Sequence, residues 1–308
     1  MNEYIPVISI AIIMGLLARI NLLRTDYRQY PSYPQGYISH LTLGIVAASL
    51  GAVAIPALLE KDFSAMTFLA LAASQFREIR NMERESLSNL EETELVSRGK
   101  AYIEDIAKAF ESRNYVAMLT ALITSLCTQL YLIVIDNEAK FYTLYIIGGI
   151  IGLLCITFLS NITKGKIIKD IADVKQGEIN FKGPLLCVDN IVIMNIGLDD
   201  SKKILQDKAM AVIITPKDDD ARATLANVGQ RQAIQHNAAA QLGIRKDVDE
   251  PDFTPLARRD PENGSVGMLI LTMEPDIECF IEAVNRVPVL ESSKRKPLES
   301  RAGYKAAD

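Results

Sequence analysis

Two apolar runs, Tyr115 to Ile135 and Phe141 to Ser160, flank the polar turn Asp136-Asn137-Glu138-Ala139-Lys140. Each run is about 20 residues, so as a helix it is roughly 30 Å long, the thickness of a bilayer's hydrocarbon core. Neither contains Lys, Arg, Asp, Glu or His. A soluble helix buries one stripe and keeps a charged face in water; these runs have no such face. The pattern predicts a transmembrane hairpin, with the lipid bilayer as the first partner of the chain.

Upstream, Ile5 to Leu23 forms another apolar run. It lacks the grammar of a cleaved signal peptide: Glu3 precedes it, no Lys or Arg does, and no small-x-small site follows. Arg19, Arg24 and Arg28 come at its far end, which the positive-inside rule assigns to the cytoplasm. The Tyr- and Pro-rich segment Asp26 to Tyr37 reads as an interfacial belt. The next run, Ile38 to Leu59, carries Ala47 and Gly51, and Ala48 and Ala52, at four-residue spacing, which allows close helix contact.

Phe63 to Ser74 is apolar but short for a crossing. If it stays on one side, Arg77, Arg80, Arg84, Arg98, Lys100, Lys108 and Arg113 all lie outside. If it crosses, they lie inside together with Lys164, Lys166 and Lys169. Only the second choice satisfies the charge rule at every loop. The expectation is therefore five spans in the cell membrane, N-terminus outside and C-terminal half cytoplasmic. In the hairpin, Thr120, Thr124 and Thr128 share one helix face and are expected to bond their own helix carbonyls or a neighbouring helix. Gly148 and Gly152 suit a close contact, within the chain or between copies in a homo-oligomer.

Between the third and fourth spans, residues 77–113 hold seven basic and nine acidic residues, with Leu87, Leu90, Leu95, Ile103, Ile106 and Phe110 spaced for two amphipathic helices. This reads as a cytoplasmic, membrane-hugging helical loop. Its string Tyr102-Ile103-Glu104-Asp105-Ile106-Ala107 resembles the signature of the YIEGIA family, membrane proteins of endospore-forming bacteria. NMERES at 81–86 and PVLESSKRKPL at 288–298 extend the resemblance over most of the chain. Asp105 stands where the family has glycine, which argues against a need for positive φ there. The resemblance implies a sporulation-associated membrane protein with a small companion, a capping subunit. Within the signature, a packing helix with solvated charges is the plain reading. A partner-docking surface of Tyr102, Ile103, Glu104, Ile106 and Ala107 is the sharper one.

After Ser160 strands and helices alternate. Leu185 to Ile196 is apolar, Asp199 to Lys208 helical, and Ala209 to Ile214 a strand. Thr215-Pro216-Lys217-Asp218 reads as a capping box opening a helix to Leu242, with Gly243 as its stop and Gly229 as a point of division. Val266 to Leu271 is a second strand, Thr272 to Asp276 opens a second helix, and Val287 to Leu290 is a last strand. A small α/β domain follows, with a ferredoxin-like arrangement as a candidate. The predicted organisation is a transmembrane domain at 1–160, a juxtamembrane linker at 161–177, a cytoplasmic α/β domain at 178–291 and a disordered tail at 292–308. The long polar stretch Ile244 to Ser265 interrupts the domain, and its Arg258 and Arg259 are placed to grip a carboxylate or phosphate of a partner.

Composition narrows the chemistry. A net charge of −5 and a pI near 5.3 argue against nucleic-acid binding. Four scattered cysteines, no CxxC pair and two histidines give neither a zinc site nor a disulfide framework. Asp218, Asp219 and Asp220 fit a helix start better than a magnesium site, and Asp247, Asp249, Glu250 and Asp252 are not spaced as an EF-hand. No glycine loop that would cradle a phosphate precedes a helix, so no cofactor is expected. The leading expectation is a scaffold or regulatory membrane component that docks a small companion. The alternative is a membrane-embedded hydrolase, a protease being one form, with Glu78 and Glu83 near the third span, or Glu104, as acid or base. A transporter ranks last, because the spans hold few ionisable residues.

Overall fold

The computed structural model describes residues 4–26, 34–135, 141–245, 254–273, 275–297, 299–300, 302 and 305. The DNEAK turn, most of the Tyr/Pro segment and Asp247 to Asp252 lie outside the described residues. The chain forms two compact units, one of residues 1–85 and 106–164, the other of residues 86–105 and 165–308.

The first unit is helical. Helices α1 (Ile5–Asp26), α2 (Pro34–Leu59), α5 (Lys100–Val134) and α6 (Phe141–Thr163) are long and apolar enough to cross a membrane. Between α2 and α5 come α3 (Phe63–Ser74) and α4 (Phe76–Leu90). With 12 residues α3 is about 18 Å long, short of a full crossing on its own, and none of its residues is buried. Asp62 caps it through Ala65 N–H at 3.0 Å.

Small residues set the packing. Ala11, Ala48, Ala52 and Ala121 from α1, α2 and α5 form one cluster. A Cβ on Gly51 would lie 2.1 Å from the carbonyl oxygen of Met118, and one on Gly15 2.7 Å from that of Ala117. In α6 the buried residues are Leu144, Gly148, Gly152 and Ile156, a stripe at four-residue spacing. Gly148 and Gly152 meet Ile10 and Met14 of α1, so this GxxxG is used within the chain. Thr124 and Thr128 donate to the carbonyls of Thr120 and Thr124 in their own helix, and Ser125 donates across to Ala52 O at 2.9 Å. Phe76, at the start of α4, packs with Ala47 of α2 and Ala117 of α5, edge-on to Tyr115.

The second unit is a layered α/β structure. Strands β1 (Ala172–Gln176), β5 (Ala209–Pro216), β7 (Val266–Leu271) and β6 (Leu256–Arg259) form an antiparallel sheet in that order. Strands β2 (Ile179–Lys182), β3 (Leu185–Val188) and β4 (Ile191–Asn195) form a second antiparallel sheet. Leu186, Val188, Ile191 and Ile193 of the small sheet pack with Ala211, Leu269 and Leu271 of the large one. All six residues of β7 are buried, the signature of a strand covered on both faces. Helices α7 (Ile168–Ile171), α8 (Asp199–Lys208), α9 (Asp219–Leu225), α10 (Val228–Leu242) and α11 (Ile277–Asn285) complete the unit.

Several expectations change here. Every strand pair among the described residues is antiparallel, and β1 and β5 are direct neighbours in the large sheet, where a split βαβ unit would place another strand between them. Residues 172–176, read as linker, form β1, and the polar stretch after Ile244 contains β6. Asp218 and Asp276, not Thr215 and Thr272, are the caps, because Pro216 still belongs to β5 and Thr272 still bridges Ile244. The division between α9 and α10 falls at Asn227, whose side chain caps Gln230 N–H, and not at Gly229. Ser293, expected in the disordered tail, is buried.

Gly51→Ala is expected to destabilise the helical unit by about 1–3 kcal/mol, because the new methyl meets backbone and not a flexible side chain. Gly149→Ala, where nothing lies within 4 Å, is expected to be neutral or slightly stabilising. Heating the detergent-solubilised protein and following loss of monomer distinguishes the two.

Candidate functional site

The signature segment and its approach, residues 86–105, belong to the second, polar unit, and residues 96–102 of it lie along one face of α10. Gly229, Gln232 and His236 recur at three- and four-residue spacing and share that face, with Asn237 next to His236 at its border. A Cβ on Gly229 would sit 2.7 Å from that of Ala101, and one on Gly99, at φ +83°, would strike the Gln232 amide. Glycine is required at both places, by close approach at the first and by conformation as well at the second. Gln232 donates to Ser97 Oγ at 2.8 Å, and Tyr102 Oη donates to Asn237 Oδ1 at 3.3 Å. His236 Nδ1 lies 2.7 Å from Val96 O; a carbonyl only accepts, so Nδ1 carries the proton. Glu91 accepts from the N–H groups of Arg98 and Gly99 and thereby fixes the turn into α5.

A second node lies at Gln230. Its side chain donates to Pro288 O at 3.0 Å and accepts from Leu290 N–H and Ser293 Oγ, both at 2.8 Å. Beside it, Asp105 accepts from Glu291 N–H at 2.9 Å. The residue that replaces the signature's glycine is thus helical and anchors the chain at Glu291.

The proposed docking residues divide by exposure. Tyr102, Ile103, Ile106 and Ala107 are buried in the chain's own interior, while Glu104 is half-buried. Arg258 is exposed and Arg259 half-buried, both on the edge strand β6. The acid/base candidates do not converge. Glu78 and Glu83 stand five residues apart on α4, about 140° apart around the helix, the first exposed and the second half-buried. Among the described residues no group of three His, Cys, Asp or Glu could hold a metal.

Sequence reading missed a polar cluster inside the helical unit. Arg19, read only as a topology signal, is fully buried, with its guanidinium 5.4 Å from the centre of the Phe110 ring and 3.4 Å from His40 Nδ1. His40 meets the same ring edge-on at 4.8 Å. The stem of Arg19 lies over Gly44, where a Cβ would come within 2.6 Å of its Cγ. Arg113 and Asn114 are buried in the same unit. The signal available in the sequence was the match of Arg19 to a glycine on the next helix, which only the structure makes readable.

Gln230→Ala leaves the buried Leu290 N–H without its acceptor and is expected to cost at least about 2 kcal/mol; Tyr102→Phe removes one bond and is expected to cost about 1 kcal/mol. Thermal unfolding midpoints of the two variants give the order. Burial first, and Arg98 nearby, hold the His236 imidazole below its ordinary 6.5 despite Val96, Glu94 and Glu91. The unfolded chain therefore takes the proton first, so the His236 contribution is complete above pH 6.5 and is lost as the pH falls from there through the folded-state value. His236→Gln is expected to flatten that part of the stability profile.

Comparison with known proteins accounts for both units together. The YIEGIA protein family matches residues 7–300. A Bacillus subtilis (strain 168) protein described as "Uncharacterized protein YphB" is 43% identical over 299 residues, covering 97% of this chain and 97% of that protein. No solved structure matches the chain. With the match running from the first apolar helix to the end of the polar unit, the chain belongs to the YIEGIA family.

Proposed function

We propose that this is a multi-pass membrane protein with five crossings, its polar unit in the cytoplasm, acting in sporulating bacteria as a scaffold or regulatory component that docks a small companion subunit. The observation that carries the crossing number is the position of Phe76. From Ala47 to Leu59, α2 advances about 18 Å, and the 12 residues of α3 advance as far again. Yet Phe76 packs against Ala47. By Phe76 the chain that leaves at Leu59 has therefore come back to the level of Ala47, part-way along α2, and Arg80 reaches Glu111 at 3.4 Å. That return supports α3 with the first turn of α4 as a fifth crossing. Asn21 beside Ser160 supports the exit of α6 at the arginine-bearing end of α1, which the positive-inside rule assigns to the cytoplasm.

The scaffold reading is supported by connectivity. The chain passes between its two units three times, at 85–86, 105–106 and 164–165, so the polar unit is tethered by three connections and not hung on a single linker. Glu104 and the helices around the sheet are the surface it offers to a companion.

Single cysteines in a background freed of Cys127, Cys155, Cys187 and Cys279 test the topology. Lys61→Cys is expected to be labelled from outside intact cells, and Lys100→Cys and Ser300→Cys only after permeabilisation; labelling of Ser300→Cys in intact cells overturns the reading. For the role, a small protein is expected to co-purify with the chain from sporulating cells. A purified chain that retains no companion but cleaves another membrane protein, and loses that activity in Glu78→Gln, Glu83→Gln or Glu104→Gln at normal abundance, is a hydrolase instead.

A further inference from the structure

Pro56 lies inside α2, four residues after Ala52. Proline has no backbone N–H, so the Ala52 carbonyl loses the donor that an α-helix would give it. Ala52 is fully buried in the helical unit, where solvent does not supply a replacement. Ser125 of α5 does: its Oγ donates to Ala52 O at 2.9 Å. The direction of this bond sets it apart. Thr67, Thr124, Thr128, Thr157 and Thr163 return their hydroxyls to carbonyls of their own helices. Ser125 instead crosses to a neighbouring helix, to the carbonyl that Pro56 has left without a donor.

From Ala57 to Ser74 the backbone is tightly bonded to itself. Asp62 N–H bonds Ala57 O at 3.0 Å and Lys61 N–H bonds Leu58 O at 3.2 Å, with Lys61 at φ +54°. This pair of bonds closes the end of α2 in a Schellman turn. Asp62 then caps α3 directly, through Ala65 N–H. The last turn of α2, the corner and α3 thus form one body without a loose residue between them. The body has a weak point at each end. At Pro56 the helix ladder lacks a bond, and Gln75 separates α3 from α4. Immediately after it, Phe76 is buried with Ala47 and Ala117. None of the residues of α3 is buried, so its own packing does little to hold the body in place.

We propose that α2 is hinged at Pro56 and that the Ser125 hydroxyl is its latch. With the bond to Ala52 made, residues 57–75 are held as observed; with it broken, they swing as one arm about Pro56 and Gln75. Sharp bends in helices concentrate at proline, where the ladder is already open. A serine is suited to the latch because its hydroxyl has an alternative when it lets go: the Ala121 carbonyl, four residues back in its own helix. Opening then leaves one carbonyl, that of Ala52, without a partner, and no charge is uncovered. The device rests on the fold of the helical unit, and neither the number of crossings nor the docking of a companion enters into it.

The test uses the full chain in phosphatidylcholine nanodiscs, with Cys127, Cys155, Cys187 and Cys279 replaced. Spin labels at Leu58→Cys on the arm and Ile133→Cys on α5, both exposed positions, report the distance between them. The parent is expected to give one narrow distribution and Ser125→Ala a second population. Adding Pro56→Ala to Ser125→Ala is expected to restore the narrow distribution, because the N–H regained at position 56 bonds Ala52 O. A control pair on α1 and α6, Ile13→Cys with Ile150→Cys, is expected to stay narrow throughout. In thermal unfolding, Ser125→Ala is expected to lower the midpoint by several degrees in the parent and by far less in the Pro56→Ala background. If Ser125→Ala alone does not accumulate, recovery in the double variant supports the latch, and loss of both variants overturns it. An equal cost of Ser125→Ala in the two backgrounds, an arm distance that Ser125→Ala leaves unchanged, or equal broadening at the control pair overturns the proposal.

Discussion

Close approach of backbones at small residues is the constraint on which the helical unit rests. Lipid chains are as apolar as leucine, so apolar area gives helices no reason to prefer one another over the bilayer. What remains is contact, and contact requires that side chains be missing at the crossing points. Gly15, Gly51, Gly148 and Gly152 provide this, with Ala11, Ala48, Ala52 and Ala121 beside them. The same logic admits Arg19. Its long stem needs room against α2, and Gly44 supplies that room, while the Phe110 face and His40 receive its head. A larger residue at position 44 would push the charge toward the least tolerant solvent available to it.

In the polar unit the corresponding constraint is polar. Residues 86–105 are distant in sequence from the sheet, and ordering such a segment costs entropy whatever it touches. Ile103 adds apolar burial, but alignment comes from directed bonds: Ser97 to Gln232, Val96 to His236, Tyr102 to Asn237, Asp105 to Glu291. The first three pair buried or part-buried groups that would be costly to leave alone, so a slip of the segment along α10 breaks several at once. Register is thereby specified more sharply than hydrophobic contact could specify it.

What could be read from the sequence follows from this division. The long apolar helices were legible because twenty uncharged residues admit few alternatives. Helix α8 and strand β7 match the expected boundaries, since their patterns are local. The edge strand β6 was not legible: four residues reading Leu-Ala-Arg-Arg inside a proline-bearing polar stretch carry no alternation, and only pairing with β7 makes them a strand. Gly229 was misread for a similar reason. A glycine within a helical stretch signals a break or a close neighbour, and the neighbour, Ala101, lies more than a hundred residues away. Burial of the signature segment agrees with the plain reading of a packing helix, although its apolar spacing alone fits a face turned to a partner as well as one turned inward.

That ambiguity bears on where function is to be sought. A recurrent string of residues draws attention to itself, but Tyr102, Ile103, Ile106 and Ala107 are engaged in the chain's own packing, and fold maintenance is sufficient to account for them. Groups whose physical needs the fold leaves unmet are better guides. Buried or half-buried charge without a counter-charge is the costliest such need, because burial strengthens repulsion and removes the water that would relieve it. The fold meets that need for Arg98, Arg80 and Arg286 with carboxylates of the chain itself, and for Arg222 with carbonyls. For the buried Nε atoms of Arg231 and Arg259 no acceptor is found among the described residues.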